Sequence, residues 1–127
     1  MIAGVGIDMV EIARIERLLA SKGARAIARL FTDGEVDYSN ARARPAMHFA
    51  ARLAAKEAAF KALAGSDDAR LIGWREVEVV SKPGGPPSLV LHGRAETRAR
   101  ELGVQRVHLS LTHTDQTAAA VVILAQR

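Results

Sequence analysis

A chain of 127 residues fits one compact domain and leaves no room for a second. Apolar residues make up 49% and charged residues 25%, the proportions of an ordinary folded domain, which sets disorder aside. No apolar run approaches the roughly 20 residues a bilayer needs, and the opening Met1-Ile2-Ala3-Gly4 lacks the basic and long apolar regions of a secretory signal, so a cytoplasmic protein with no membrane partner is expected.

In chain order, Ile2 to Met9 alternates small or polar positions (Gly4, Gly6, Asp8) with apolar ones (Val5, Ile7, Met9), the period of a strand with one face on the core. This puts Asp8 at the strand's C-terminal end. Glu11 to Ala20 carries Ile12, Ile15, Leu18 and Leu19 at helical spacing before Gly23 interrupts it, and Arg25 to Leu30 adds a further turn or two. Thr32-Asp33-Gly34-Glu35 is a capping box that opens another short helix. Pro45 is suited to start a helix, and the stretch from Ala46 to Ala64, closed by Gly65, predicts the longest helix of the chain.

Trp74 to Val80 and Ser88 to Leu91 read as two strands across the turn Lys82-Pro83-Gly84-Gly85-Pro86-Pro87. Gly93 to Leu102 is a short amphipathic helix. Val107 to Leu111 and Thr117 to Leu124 form a hairpin around His113-Thr114-Asp115-Gln116. The expected architecture is a single-domain α+β fold over residues 1–127, a mostly antiparallel sheet packed around a long central helix. A small domain of this kind often covers its sheet face by oligomerising.

The chain has no cysteine, which removes disulfides, thiolate metal sites and cysteine nucleophiles together. A metal would sit on carboxylates, histidines or other oxygens, which favours a hard ion such as Mg²⁺. The formal charge of +4 suits a polyanionic partner. Nucleic acid is the commonest such partner, but three Phe, one Trp and one Tyr offer few stacking platforms, and there is no basic tail or RNP-type motif. An acidic protein or a phosphate-rich cofactor fits as well.

On the long helix, Phe49, Leu53, Phe60 and Leu63 make an apolar stripe, with Glu57 and Lys61 four apart on one flank and Arg52 on the other. A Glu-Lys pair at this spacing is ordinarily a surface ion pair. Ala50, Ala54, Ala58 and Ala64 border that flank, however, and let other elements approach, so Glu57 is expected half-buried and in need of a partner such as a metal ion. Asp8, after two glycines, is either a capping acid for the next helix or a functional carboxylate. Gly4-Val5-Gly6 lacks the third glycine of a dinucleotide fingerprint, which would fall at Met9. The four histidines show no metal-ligand spacing, and only His113 lies in a polar turn. Taken alone, these residues describe a small basic α+β protein with a candidate carboxylate metal site.

Three stretches together resemble the bacterial holo-acyl-carrier-protein synthase family of 4′-phosphopantetheinyl transferases. They are Gly4-Val5-Gly6-Ile7-Asp8-Met9-Val10-Glu11-Ile12, then Phe49 to Ala58 with Lys61-Ala62-Leu63, and Val107 to Thr114 with Ala118 to Val122; Leu30-Phe31-Thr32 with Glu35 is similar as well. The resemblance implies transfer of 4′-phosphopantetheine from coenzyme A to a serine of apo-acyl-carrier protein, in support of fatty acid biosynthesis. It further implies that Asp8 and Glu57 hold Mg²⁺ at the pyrophosphate of coenzyme A and that Lys61 offsets phosphate charge. Arg52, Gly85, Pro87, His113 and Thr114 would meet coenzyme A, Arg52 and His113 across the subunit interface of a homotrimer. The serine's proton would pass to Glu57 or to a water held at the metal site.

The sequence departs from the family where Gly84-Gly85-Pro86-Pro87 replaces Asn-Gly-Lys/Arg-Pro, losing a basic residue, and at Leu53, where an aromatic is common. Arg14, Arg17, Lys22 and Arg25 recur at intervals of three to five, a basic face that is either merely solvated or, as the resemblance implies for Arg14, docks an acidic carrier. The competing readings are a nucleic-acid-binding module, carried by charge alone, and a structural trimer whose metal site has decayed.

Overall fold

The computed structural model describes every residue except Lys22. The elements run β1 (Ile2–Glu11), α1 (Ile12–Ser21), α2 (Gly23–Leu30), α3 (Asp33–Asn40), α4 (Pro45–Leu63), β2 (Val77–Val80), β3 (Ser88–Leu91), α5 (Gly93–Glu101), β4 (Arg106–His113) and β5 (Thr117–Ala125). Short 3-10 turns occupy Asp68–Leu71 and Trp74–Glu76. The class is α+β as expected, but the strands divide into two antiparallel sheets, β1-β5-β4 and β2-β3, set around α4.

Three boundaries near the site residues differ from the sequence-based expectation. β4 runs on from Leu111 to His113, which pairs with Ala118, so that histidine ends the strand rather than sitting in the turn. Pairing of β1 with β5 continues through Val10↔Ala118 and Glu11↔Thr117, so Asp8 sits within the strand rather than at its end. The strand expected from Trp74 begins only at Val77, because the Glu76 carboxylate accepts from the Gly73 amide at 2.7 Å and from the Arg94 amide, folding Trp74–Glu76 into a turn.

Pro45 opens α4, where a missing amide hydrogen costs nothing. Arg98 satisfies two carbonyls at the other end, Nε donating to Leu63 O at 2.8 Å and Nη2 to Ala64 O at 3.1 Å. Burial on α4 is not the single stripe predicted. Phe49, Leu53 and Leu63 are buried as expected, but so are alanines on every side, Arg52 and Lys56, while Phe60 is only half-buried against Trp74. A helix buried all round is a core element rather than a surface one.

Lys56 pairs with Glu35 of α3 at 2.8 Å, both side chains fully buried, and also donates to Trp74 O and Val77 O. Glu35 accepts from Thr32 N at 2.9 Å, completing the predicted capping box, and from Val79 N at 2.8 Å. Every hydrogen of the ammonium thus has an acceptor, the condition under which a buried ion is tolerated.

The face of β1 turned inward is its small one. A Cβ on Gly6 would lie 1.7 Å from Ala58 O, and one on Gly4 would lie 2.2 Å from Ala62 O, so strand and helix meet backbone to backbone. Val5, Ile7 and Met9 point outward and are exposed, Ile7 by 63% and Met9 by 69%. Val121 and Ile123 of β5, paired with Ile7 and Val5, extend this apolar outer face.

Candidate functional site

The close packing of β1 on α4 brings Asp8 beside Glu57 and Lys61. Lys61 Nζ donates to Asp8 Oδ1 and to Ile7 O, both at 3.0 Å. The lysine therefore pairs with the strand aspartate, and no ion pair joins it to Glu57 among the described residues. Burial pushes the Asp8 carboxyl up, but hydrogen bonding with Glu57 and the charge and hydrogen bond of Lys61 outweigh it and hold Asp8 below its ordinary value. Glu57 is raised to about 7, first by burial and then by its hydrogen bond to Asp8 and the Asp8 charge, with Arg14 and Lys61 pulling the other way.

Asp8 Oδ2 is buried and finds no donor among the described residues when both acids are ionised. A proton on Glu57 would supply one, and so would a divalent cation between the carboxylates. Among the described residues no cluster of three or more acidic, histidine or cysteine side chains could hold a metal alone. Two carboxylates with an orphaned oxygen are the protein donor set that Mg²⁺ typically takes when phosphate and water complete its shell. The chain's residues fit that ion.

Arg52, Gly85, Pro87 and His113 line a cavity of about 280 Å³ that includes neither the carboxylates nor Lys61. It also carries Tyr38, Arg42, His48, Ser81 and Lys82, which the sequence reading did not assign to a site. The signals were present in the only tyrosine and in the Arg42-Ala43-Arg44 cluster, but the two lie on different elements from Arg52 and only folding joins them. Thr114 does not line the cavity; its hydroxyl accepts from Gln116 N and Thr117 N and shapes the β4–β5 turn.

Arg14, Arg17 and Arg25 are exposed, whereas Lys22 lies outside the described residues. Arg14 and Arg17 rim a groove of about 320 Å³ floored by Ile15, Leu18, Leu30, Leu53 and Trp74, and Arg25 rims the adjoining groove with Arg29. Arg14 is near enough to Glu57 to lower its pKa, so this basic surface adjoins the carboxylate site. No helix of the described residues is long and apolar enough to cross a membrane.

The sequence model of the 4′-phosphopantetheinyl transferase superfamily matches residues 4–122. The holo-acyl-carrier-protein synthase of Anaeromyxobacter dehalogenans is 52% identical, the match covering 98% of this chain and 96% of that one. That of Koribacter versatilis is 45% identical over 98% of both. The crystal structure of a holo-acyl-carrier-protein synthase from Bacillus anthracis in complex with CoA (3′,5′-ADP) is similar with a TM-score of 0.76 and 31% identity, covering 98% of this chain and 96% of that one.

Glu57 titrates near 7 in the fold against an ordinary value of 4.5. A raised acid contributes stability that is complete below the unfolded value and lost as pH rises through the folded one. In chelator, the melting temperature of wild type should fall relative to Glu57→Gln as pH goes from about 5 to 8, where the depressed Asp8 no longer titrates. Thermal scans across that range measure it; a constant gap between the two proteins would contradict the shared-proton arrangement.

Proposed function

The chain belongs to the holo-acyl-carrier-protein synthases within the 4′-phosphopantetheinyl transferase superfamily, and we propose that its Asp8–Glu57 site works with Mg²⁺ to transfer phosphopantetheine from coenzyme A to a carrier serine. The observation that carries this reading is the buried Asp8 Oδ2, unpartnered beside Glu57 and one residue from the Lys61 contact at Ile7 O. When bound there, Mg²⁺ supplies positive charge against the pyrophosphate. Lys61, its side chain 57% exposed even while paired with Asp8, is proposed to offset further phosphate charge.

In the transfer, the serine oxygen bonds to the β-phosphorus while the bond from that phosphorus to the bridging oxygen breaks, and 3′,5′-ADP leaves with the electron pair. A serine hydroxyl needs a base, and Glu57, directly or through a water held at the metal site, is proposed to take the proton, a reading that the engagement of Asp8 by Lys61 supports. The cavity of Arg52, Lys82 and His113, lined also by Gly85 and Pro87, is proposed to take phosphate of the nucleotide half, as its cationic side chains support; the B. anthracis relative in complex with CoA supports coenzyme A as the co-substrate. Product carrier would serve fatty acid synthesis in the cytoplasm. The test is the mass of apo-carrier protein after incubation with coenzyme A and Mg²⁺. Wild type should add one phosphopantetheine group; Asp8→Asn and Glu57→Gln should add none while staying folded. Near-wild-type turnover by either variant at low Mg²⁺ would sink the site.

The assembly proposed is a homotrimer. Its support is the exposed apolar face of Val5, Ile7 and Met9, together with the separation of the cationic cavity from the Asp8 site within one chain, which a neighbouring subunit can bridge. Three-fold order itself comes from the family. Sedimentation should give three times the chain mass for wild type and a smaller species for Ile7→Lys, which puts a charge into that face. A wild-type monomer would rule the trimer out.

The basic surface of α1 and α2 is proposed to dock the acidic carrier, as its position beside Glu57 supports. Rim charges act mainly on association rate and contribute about 1 kcal/mol or less each. Arg14→Glu with Arg17→Glu should raise the KM for carrier at least tenfold, on the order expected for two reversed charges, leave the KM for coenzyme A unchanged and flatten the salt dependence. Equal losses for both substrates would return this helix to a solvated face.

A further inference from the structure

Two cations lie over the Tyr38 ring. Arg42 Cζ lies over the ring at 4.1 Å from its centroid and Arg52 Cζ at 4.2 Å. Both guanidiniums are thus within cation–π range of the same ring. His48 meets the ring edge-on at 5.8 Å.

Arg52 is 3% exposed. Its Nη2 donates to Ser81 Oγ at 2.9 Å and its Nη1 to His48 O at 3.3 Å, but its Nε has no partner among the described residues. No carboxylate lines this cavity, whereas Arg42, Arg52, Lys82, His48 and His113 all do. Burial and the two arginines hold His48 below its ordinary value, and Arg42 above all holds the Tyr38 phenol down. The charged side chains lining the cavity are all basic, which suits an anion.

Two guanidiniums at one small cavity repel each other, and Arg42, which is exposed, is free to swing into water. The negative faces of an aromatic ring draw each cation inward. We propose that Tyr38 is a positioning residue that pre-sets Arg42 and Arg52 as a two-armed clamp for a phosphate on the nucleotide half of coenzyme A, and thereby sets the preference for coenzyme A over 3′-dephospho-coenzyme A. This rests on the coenzyme A reading above. Pre-organisation lowers the cost of ordering long side chains at the moment of binding, so removing the ring weakens the grip without touching the reacting atoms.

Steady-state kinetics with both donors test it in wild type, Tyr38→Phe and Tyr38→Leu. Tyr38→Leu should raise the KM for coenzyme A about tenfold, the order expected for two lost cation–ring contacts. It should leave kcat within about twofold and the KM for 3′-dephospho-coenzyme A unchanged, so that discrimination between donors collapses. Tyr38→Phe keeps the ring but loses the phenol's hydrogen bond with Arg42, so it should be impaired less than Tyr38→Leu. An equal loss with both donors, a fall in kcat alone, or a Phe variant as impaired as Leu overturns the clamp. If Tyr38→Leu does not fold by circular dichroism, Arg42→Gln carries the same comparison, with a KM rise confined to coenzyme A expected and an unselective or absent effect overturning it. A wild type that transfers from neither donor overturns the coenzyme A reading itself, and this inference with it.

Discussion

The backbone contact between β1 and α4 is the constraint on which the rest of the structure depends. Gly4 and Gly6 leave no room for a methyl group against Ala62 O and Ala58 O. Adding one would force a tightly packed sheet and helix apart, a change that typically costs about 1–3 kcal/mol. The absence of those side chains draws the strand near enough for Asp8 to raise the Glu57 carboxyl and to meet Lys61 at 3.0 Å. The carboxylate pair is therefore a consequence of how little β1 carries on its inner face. The apolar residues displaced to its outer face are the counterpart of the same arrangement.

The rotation of α4 is held from its other side. Lys56 follows the inner face of the helix into full burial, where Glu35, Trp74 O and Val77 O bind its ammonium. Those partners belong to α3, the 3-10 turn and β2, so one lysine ties three elements to the central helix. Glu57, its neighbour in sequence, points to a different side and toward β1. A buried pair of this kind contributes little net stability, because desolvating two charges offsets their attraction, but losing one partner strands the other. Its evident effect is to fix which way Glu57 and Arg52 face.

Electrostatics sort the molecule into three regions. The Asp8–Glu57 pair is the acidic one, where burial first and then Asp8 raise Glu57 to about 7. The Arg52 cavity is cationic and lined by no carboxylate, and the α1–α2 surface is a rim of exposed arginine around an apolar floor. Two of the basic surfaces of a chain of formal charge +4 are thus the ones proposed above for a phosphate-rich donor and an acidic acceptor.

Much of this was legible in the residues themselves. The α+β class, the long helix, the hairpin and the Thr32–Glu35 capping box follow from periodicity and local hydrogen-bonding chemistry, which neighbours in sequence determine. Asp8, Glu57 and Lys61 could be singled out because small residues around them signal close approach. Tertiary structure alone decided that β1 turns its glycines inward, since alternation marks two faces without saying which is buried. It decided that Lys61 serves Asp8 rather than Glu57, because i and i+4 neighbours on a helix compete with a strand that the spacing does not reveal. It placed Lys56 rather than only hydrophobes in the core, and gathered Tyr38, Arg42 and Arg52 around one cavity, because contacts between distant elements depend on the packing of whole surfaces and leave no periodic trace in the chain.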